Sequence, residues 1–134
     1  ALSAQIKTDR RIIDAEDFFD ARTGKTTILN DDELVLGIEI PEPKPGTLQK
    51  YWKYRLRNSI DFPICSVASV LTMDGNRIKD TRIVLGAVAP TPIRLQKFEG
   101  FIKEKSIGSE LAEEINDFSF NRIIPLEKNG YKIQ

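Results

Sequence analysis

The chain is poor in side chains that move protons, hold metals or attack substrates. It has no histidine and one cysteine, Cys65. Without imidazole there is no histidine general acid or base and no Ser–His or Cys–His nucleophile pair, and nearly every transition-metal site is excluded. A single cysteine cannot close an internal disulfide or ligate an iron–sulfur cluster by itself. Cys65 lies in the apolar run "IDFPICSVASVLTM", where a buried structural thiol is expected. "TGKTT" (Thr23–Thr27) has the ending of a phosphate-binding loop, but the required earlier glycine is Phe19, so a surface turn is expected. Asp14, Glu16, Asp17, Asp20 and the run Asp31-Asp32-Glu33 lack calcium-loop spacing and read as solvated turns.

These residues need elements to position them. "ALSAQIKTDRRII" alternates loosely and predicts a short hairpin with a turn near Thr8-Asp9. Asp14 is placed to cap a single helical turn ending at Phe18-Phe19. Leu34 to Ile40 is extended, and Pro41, Pro43 and Pro45 end it, because proline donates no ladder bond and holds its predecessor extended. That cluster sets the expected boundary: a first unit over 1–47 and a second over 48–134. "YWKYRLR" alternates as a strand, aligning Lys53, Arg55 and Arg57 on one face. These cations suit a phosphate or a flavin, or an exposed face in which Arg57 pairs with Asp61. "IDFPICSVASVLTM", the turn Asp74-Gly75-Asn76 and "RIKDTRIVLGAVA" complete a three-stranded antiparallel meander. In "APTP", Pro90 ends the strand, Thr91 is the expected helix N-cap and Pro92 the first helical residue. Leu95, Phe98, Phe101 and Ile102 follow at helical spacing. Ser109 is the expected cap of a second helix that buries Leu111, Ile115 and Phe118. Residues 121–134 are polar with a few apolar residues, and "KNGYKIQ" (128–134) reads as the start of a further element.

Strands followed by helices predict an α+β fold: a three-stranded antiparallel sheet with helices packed on one face. Forty per cent hydrophobic residues can supply a core. Zero formal net charge, with no basic stripe interleaved with aromatics, points away from nucleic acid. With one cysteine and no internal disulfide a cytoplasmic location is expected, and because no apolar stretch reaches membrane-spanning length no membrane association is expected.

Three stretches, "DDELVLGIEIPEP" (31–43), "YWKYRLRNSIDFPICSVASVLTMDGNRIKDTRIVLGAVAPTPIR" (51–94) and "PLEKNGYKIQ" (125–134), together resemble the flavoprotein, or medium, subunit of the molybdenum hydroxylases. This family includes xanthine dehydrogenase and the aerobic carbon monoxide dehydrogenase. The resemblance implies residues 1–47 as the C-terminal remnant of the FAD-binding subdomain and 48–134 as a CO dehydrogenase flavoprotein C-terminal-like domain. It implies a part in an oxidoreductase that passes electrons from iron–sulfur clusters through FAD to an acceptor. FAD would be the cofactor of the complete subunit and would not be held by this chain alone, because the family's glycine-rich diphosphate loops have no counterpart here. Molybdopterin and [2Fe–2S] clusters would sit on partner subunits. The implied partners are an N-terminal FAD-binding half, an iron–sulfur subunit and a molybdenum subunit, with homo-oligomerisation left open. The implied cofactor-binding residues are Val35 and Leu36, at the flavin ring, and Lys53, which approaches the isoalloxazine. The rival reading is a cofactor-free α+β interaction or dimerisation domain with no catalysis of its own.

Overall fold

The computed structural model describes residues 1–21, 24–58, 60–118 and 123–133. Its first sheet contains β1 (Gln5–Thr8), β2 (Ile12–Asp14) and β3 (Val35–Glu39), antiparallel in the order β2-β1-β3. The expected hairpin forms because the Thr8 hydroxyl oxygen accepts the N–H groups of Arg10 and Arg11, at 3.1 and 2.9 Å. Such a side-chain oxygen stabilises a turn by taking up donors the ladder cannot use. Ile6, Ile13 and Phe18 form the small core of this sheet. Asp14 is no helix cap. It belongs to β2, and the Asp17 N–H closes a simple turn onto its carbonyl at 2.9 Å. Of "TGKTT", Thr23 lies outside the described residues, while Gly24 adopts a left-handed φ of 74°.

The second sheet contains β4 (Thr47–Tyr54), β5 (Cys65–Asp74), β6 (Arg77–Gly86) and β7 (Ile93–Arg94), in that spatial order and antiparallel throughout. The meander therefore stands as the sequence predicts, with one short strand added. Directly opposed residues share a face of a sheet. Trp52, Val67 and Leu85 fall on one face; Lys53, Ser66 and Gly86 fall on the other. Helices α1 (Gln96–Ile102) and α2 (Ser109–Asn116) cover the first of these faces, where Ile78, Ile83, Phe98, Ile102 and Leu111 make the main core. Phe118 extends it, with its ring 5.1 Å from Phe98 and 4.8 Å from Phe101. The link between the helices returns to the sheet: Ile78 donates to the Lys105 carbonyl at 2.8 Å and Glu104 donates back to Ile78 at 2.7 Å.

Three boundaries differ from expectation. Helix α1 does not start at Pro92. Ile93 and Arg94 pair with Leu85 and Val84 of β6 instead, the Leu95 N–H donates to the Ile83 carbonyl, and Leu95 is the N-cap. Pairing with an open strand edge satisfies these backbone groups, so the helix is delayed. Ser109 is the first helical residue of α2, preceded by an extended Gly108 as N-cap with no side-chain cap bond. Strand β4 starts at Thr47 and ends at Tyr54, so Arg55 and Arg57 leave the strand and do not line up with Lys53. The Ile64 N–H takes the Tyr54 carbonyl and the chain bends there. The expected Arg57–Asp61 pair forms across this bend at 3.1 Å.

A buried charge fixes the corner between sheet and helix. Glu99, on α1, is 6% exposed. Its Oε1 accepts the Ile83 N–H at 2.8 Å, and Arg94 grips both carboxylate oxygens at 2.9 to 3.1 Å. The remaining arm of Arg94 reaches Glu16 of the first unit at 3.1 Å. We expect Arg94→Ala to leave Glu99 buried and uncompensated, with a cost of about 3–5 kcal/mol; a denaturant midpoint close to wild type would refute this role. Gly46, in the turn before β4, has φ 74°, and an added Cβ would lie 2.9 Å from the Met73 carbonyl oxygen. Both features oppose a side chain, so Gly46→Ala should destabilise the chain by about 1–3 kcal/mol and lower its melting temperature by several degrees.

Candidate functional site

The family resemblance points to Val35, Leu36 and Lys53. Val35 and Leu36 open β3. Thr8 pairs with Val35 while Lys7 pairs with Gly37, so Leu36 falls between two rungs without a cross-strand partner. An extra residue of this kind bends a strand and re-aims side chains, and such bulges recur beside functional sites. It keeps Val35 in line with Thr8 while Leu36 stands 63% exposed.

Two clamps hold the start of β3. The Asp9 carboxylate accepts the Leu34 N–H at 3.0 Å, and the Asp9 N–H donates to the Leu34 carbonyl at 3.1 Å. One residue earlier, the buried Glu33 carboxylate takes Arg11 Nε and Nη2 at 2.8 and 2.9 Å, the Thr8 hydroxyl at 2.8 Å and the Asn30 N–H at 3.1 Å. The Arg11 guanidinium pulls the Glu33 carboxyl down to about 2, against the opposing effect of burial, with Asn30 and Thr8 assisting. Glu33 is thus no solvated turn residue, contrary to the reading from sequence. Nothing in the spacing of Arg11 and Glu33 announces this pair. The other carboxylates are simpler: Asp31 pairs with Lys25 and Asp32 with Arg10. Among the described residues no group of carboxylates and thiols converges as a metal site.

Lys53 lies on the second sheet, on the face away from the helices, in one row with Ser66 and Gly86. Asp61 completes its surroundings. The Arg57 guanidinium holds the Asp61 carboxyl below its ordinary range, the Arg57 N–H helps at 3.0 Å, and Lys53 adds a smaller pull. Arg57, just past the end of β4, is thus the direct partner of Asp61. On the opposite face Trp52 and Tyr54 stack at 5.8 Å. Val35 and Leu36 stand together; Lys53 belongs to a different sheet, and none of the hydrogen bonds or ion pairs described above joins it to β3. An open cleft of about 410 Å³ lies between the second sheet and the segments 1–3 and 40–44, lined by Ile40, Pro41, Lys44, Thr47, Gln49 and Arg82 among others, and none of the three predicted residues lines it. Cys65 is half-buried, and burial pushes its thiol up, which disfavours the nucleophilic thiolate.

The fit of a flavin nucleotide to this surface is uneven. An exposed apolar bulge and a lysine suit the edge of an aromatic ring. A diphosphate needs converging backbone N–H groups, and neither helix supplies them: each carries an acidic residue in its first turn, Glu99 or Glu110.

The CO dehydrogenase flavoprotein C-terminal domain model matches residues 50–129. The chain is 31% identical over 127 residues to the aldehyde oxidoreductase FAD-binding subunit of Escherichia coli (strain K12), covering 92% of this chain and 36% of that protein. It is 26% identical over 107 residues to the xanthine dehydrogenase FAD-binding subunit of Escherichia coli O157:H7, covering 80% of this chain and 37% of that one. Among solved structures, a carbon monoxide dehydrogenase from Hydrogenophaga pseudoflava superimposes with a TM-score of 0.75 at 26% identity, covering 87% of this chain and 41% of its counterpart. The chain therefore spans about two-fifths of the length of these relatives.

The Glu33 clamp has a pH signature. A carboxyl whose folded value lies below its unfolded one contributes stability that is complete above the unfolded value, near 4.5, and is lost as pH falls toward 2. Urea midpoints measured from about pH 6 down to about pH 2 should fall with acidification in the wild type. The Glu33→Gln chain should start lower and lose less across that window; parallel curves would show that the clamp contributes nothing.

Proposed function

The chain belongs to the CO dehydrogenase flavoprotein C-terminal domain family, and on that premise we propose that it is the C-terminal part of the FAD-binding subunit of a molybdenum hydroxylase of the xanthine dehydrogenase type. Residues 48–134 form the family domain, and residues 1–47 finish the FAD-binding subdomain. The bulge at Val35 and Leu36, pinned by Asp9 and Glu33, carries this reading: it presents backbone and an apolar side chain at a held position where a flavin ring can rest. Lys53 supplies a cation beside the ring from the second sheet. The flavin, when bound, supplies one- and two-electron redox chemistry between iron–sulfur clusters and an acceptor. This chain's own part is to wall the ring, exclude water with Leu36 and place the positive charge of Lys53 where reduction adds negative charge.

The grip on the diphosphate comes from the N-terminal FAD-binding half. Iron–sulfur and molybdenum subunits complete the enzyme, and the bend after β4 offers them apolar surface, with Leu56, Ile60 and Phe62 all strongly exposed. A cytoplasmic location accords with a single free cysteine. No described helix is long and apolar enough to cross a membrane.

The test is reconstitution with a separately expressed FAD-binding half. The pair should retain yellow flavin through gel filtration, and this chain alone should not; a colourless pair, or a chain that holds FAD unaided, overturns the proposal. Within the pair, Lys53→Ala should weaken flavin retention several-fold or shift its potential, while the melting temperature stays within ~2 °C. A large melting loss with unchanged flavin behaviour would show Lys53 to be structural.

A further inference from the structure

We propose that Glu16 is a positioning residue: its bond to Arg94 is a clasp that fixes the angle between the two sheets, and with it the placement of the Val35–Leu36 wall relative to Lys53. The clasp is read from the fold, while its bearing on a flavin rests on the reading above. The two sheets share no strand, and their buried cores share no residue among those described. What joins them lies at their edges. The chain runs from β3, an outer strand of the first sheet, into β4, an outer strand of the second. Residues 40–46 of this link form no strand or helix, and positions 41, 43 and 45 are proline. Such a spacer sets a separation and leaves the angle free. Its far end is seated on the second sheet, where the Met73 N–H donates to the Gly46 carbonyl at 2.9 Å. The clasp lies at the opposite edges: Glu16 follows β2, the other outer strand of the first sheet, and Arg94 belongs to β7, the other outer strand of the second. Two strand spacings in one sheet and three in the other put it about 10–14 Å from the link. A tie at that distance resists the rotation that the link allows.

Each end of the clasp is held by its own unit. The Ala15 N–H donates to the Ala4 carbonyl and the Asp17 N–H to the Asp14 carbonyl, both at 2.9 Å, so the turn that carries Glu16 moves with the first sheet. Phe18, two residues on, belongs to the first core. Arg94 donates from Nε and Nη2 to Glu99 and from Nη1 to Glu16 at 3.1 Å. Ordering a long side chain usually offsets much of what a surface ion pair contributes. Here Glu99 has already ordered Arg94, so the bond to Glu16 carries less of that loss. The Glu16 side chain is 48% exposed, against 8% for Glu99. Salt therefore screens the clasp and spares the buried pair behind it. The open cleft beneath residues 40–44 leaves room for the sheets to turn. A partly exposed pair of this kind shifts an equilibrium about two- to fivefold.

The experiment reads the angle first, in the full chain without FAD. Spin labels at Lys7→Cys on β1 and Lys97→Cys on α1, in a Cys65→Ser background, report the distance between the units. With Glu16 in place one distance should dominate. Glu16→Gln should raise the minor population about two- to fivefold while the melting temperature stays within ~2 °C. Sodium chloride at about 1 M should do the same to the parent chain and add little to the variant. Glu16→Arg, which sets like charges against each other, should raise that population further. Distances unchanged by Glu16→Gln, or salt acting equally on both chains, overturn the clasp. Flavin is then followed in the pair reconstituted with the N-terminal FAD-binding half. There Glu16→Gln should weaken flavin retention or shift its visible absorption, and Glu16→Asp should recover part of the change. Altered distances with retention and absorption as in the parent pair overturn the positioning role. A parent pair that holds no flavin defeats the proposed function, and the distances alone then decide the clasp. A pair that holds flavin, with distances indifferent to Glu16→Gln, defeats this inference and leaves the proposed function standing.

Discussion

Glu99 sits on α1 under the sheet, almost out of reach of water, and three parts of the chain meet at it. The Ile83 N–H ties it to β6, Arg94 ties it to β7, its own backbone belongs to the helix, and the far arm of Arg94 extends the network to Glu16 in the first unit. A lone carboxylate in that position would be costly; a forked guanidinium and a backbone donor make it tolerable. Close association of Arg94 with Glu99 also holds Arg94 in its charged form. The consequences spread outward. Arg94 must lie beside β6, so residues 93 and 94 become a strand, and the helix begins only at Gln96. The first unit is tied to the second at Glu16, which relates β3 to the sheet bearing Lys53.

The two sheets are covered unequally. The second has two helices on one face and a core that gathers Ile78, Ile83, Phe98, Ile102 and Leu111, with an aromatic cluster at its margin. The first has three buried apolar side chains and relies on polar clamps: Thr8 in the hairpin, Asp9 on Leu34, and Arg11 on Glu33. Polar clamps are directional, whereas apolar burial is not. They can therefore hold the bulge at Leu36 in a defined place with little core beneath it. The same shortage leaves the apolar side chains of β3 facing solvent.

Much of this could be read along the chain. The meander of β4, β5 and β6 followed from β-branched residues and the Asp74-Gly75-Asn76 turn, because such patterns are set by neighbours a few residues apart. The buried stripe of α1 and α2 followed from spacing, and Phe98, Ile102, Leu111, Ile115 and Phe118 all join the core. The failures share a cause. Thr91 and Pro92 have the right chemistry for a helix start, yet the open edge of β6 captures the next two residues first. Arg55 and Arg57 alternate correctly with Lys53, yet the chain leaves the sheet at Tyr54, where the ladder to β5 closes. Asp31, Asp32 and Glu33 look alike in sequence; only Glu33 is buried, because only it lies under Arg11.

By itself the sequence determined the class of fold, the proline-bounded change from one sheet to the next, the lack of histidine chemistry and the family likeness. All of these rest on composition or on residues close together in the chain. Tertiary structure decided the rest: which carboxylate is buried, which residue bulges from β3, where the first helix starts and which apolar strand is left uncovered. Each depends on groups 5 to 78 positions apart meeting in space, as the Arg94 contacts to Glu99 and Glu16 show. Closing such loops is unfavourable until the whole fold rewards them, so local patterns carry no record of them.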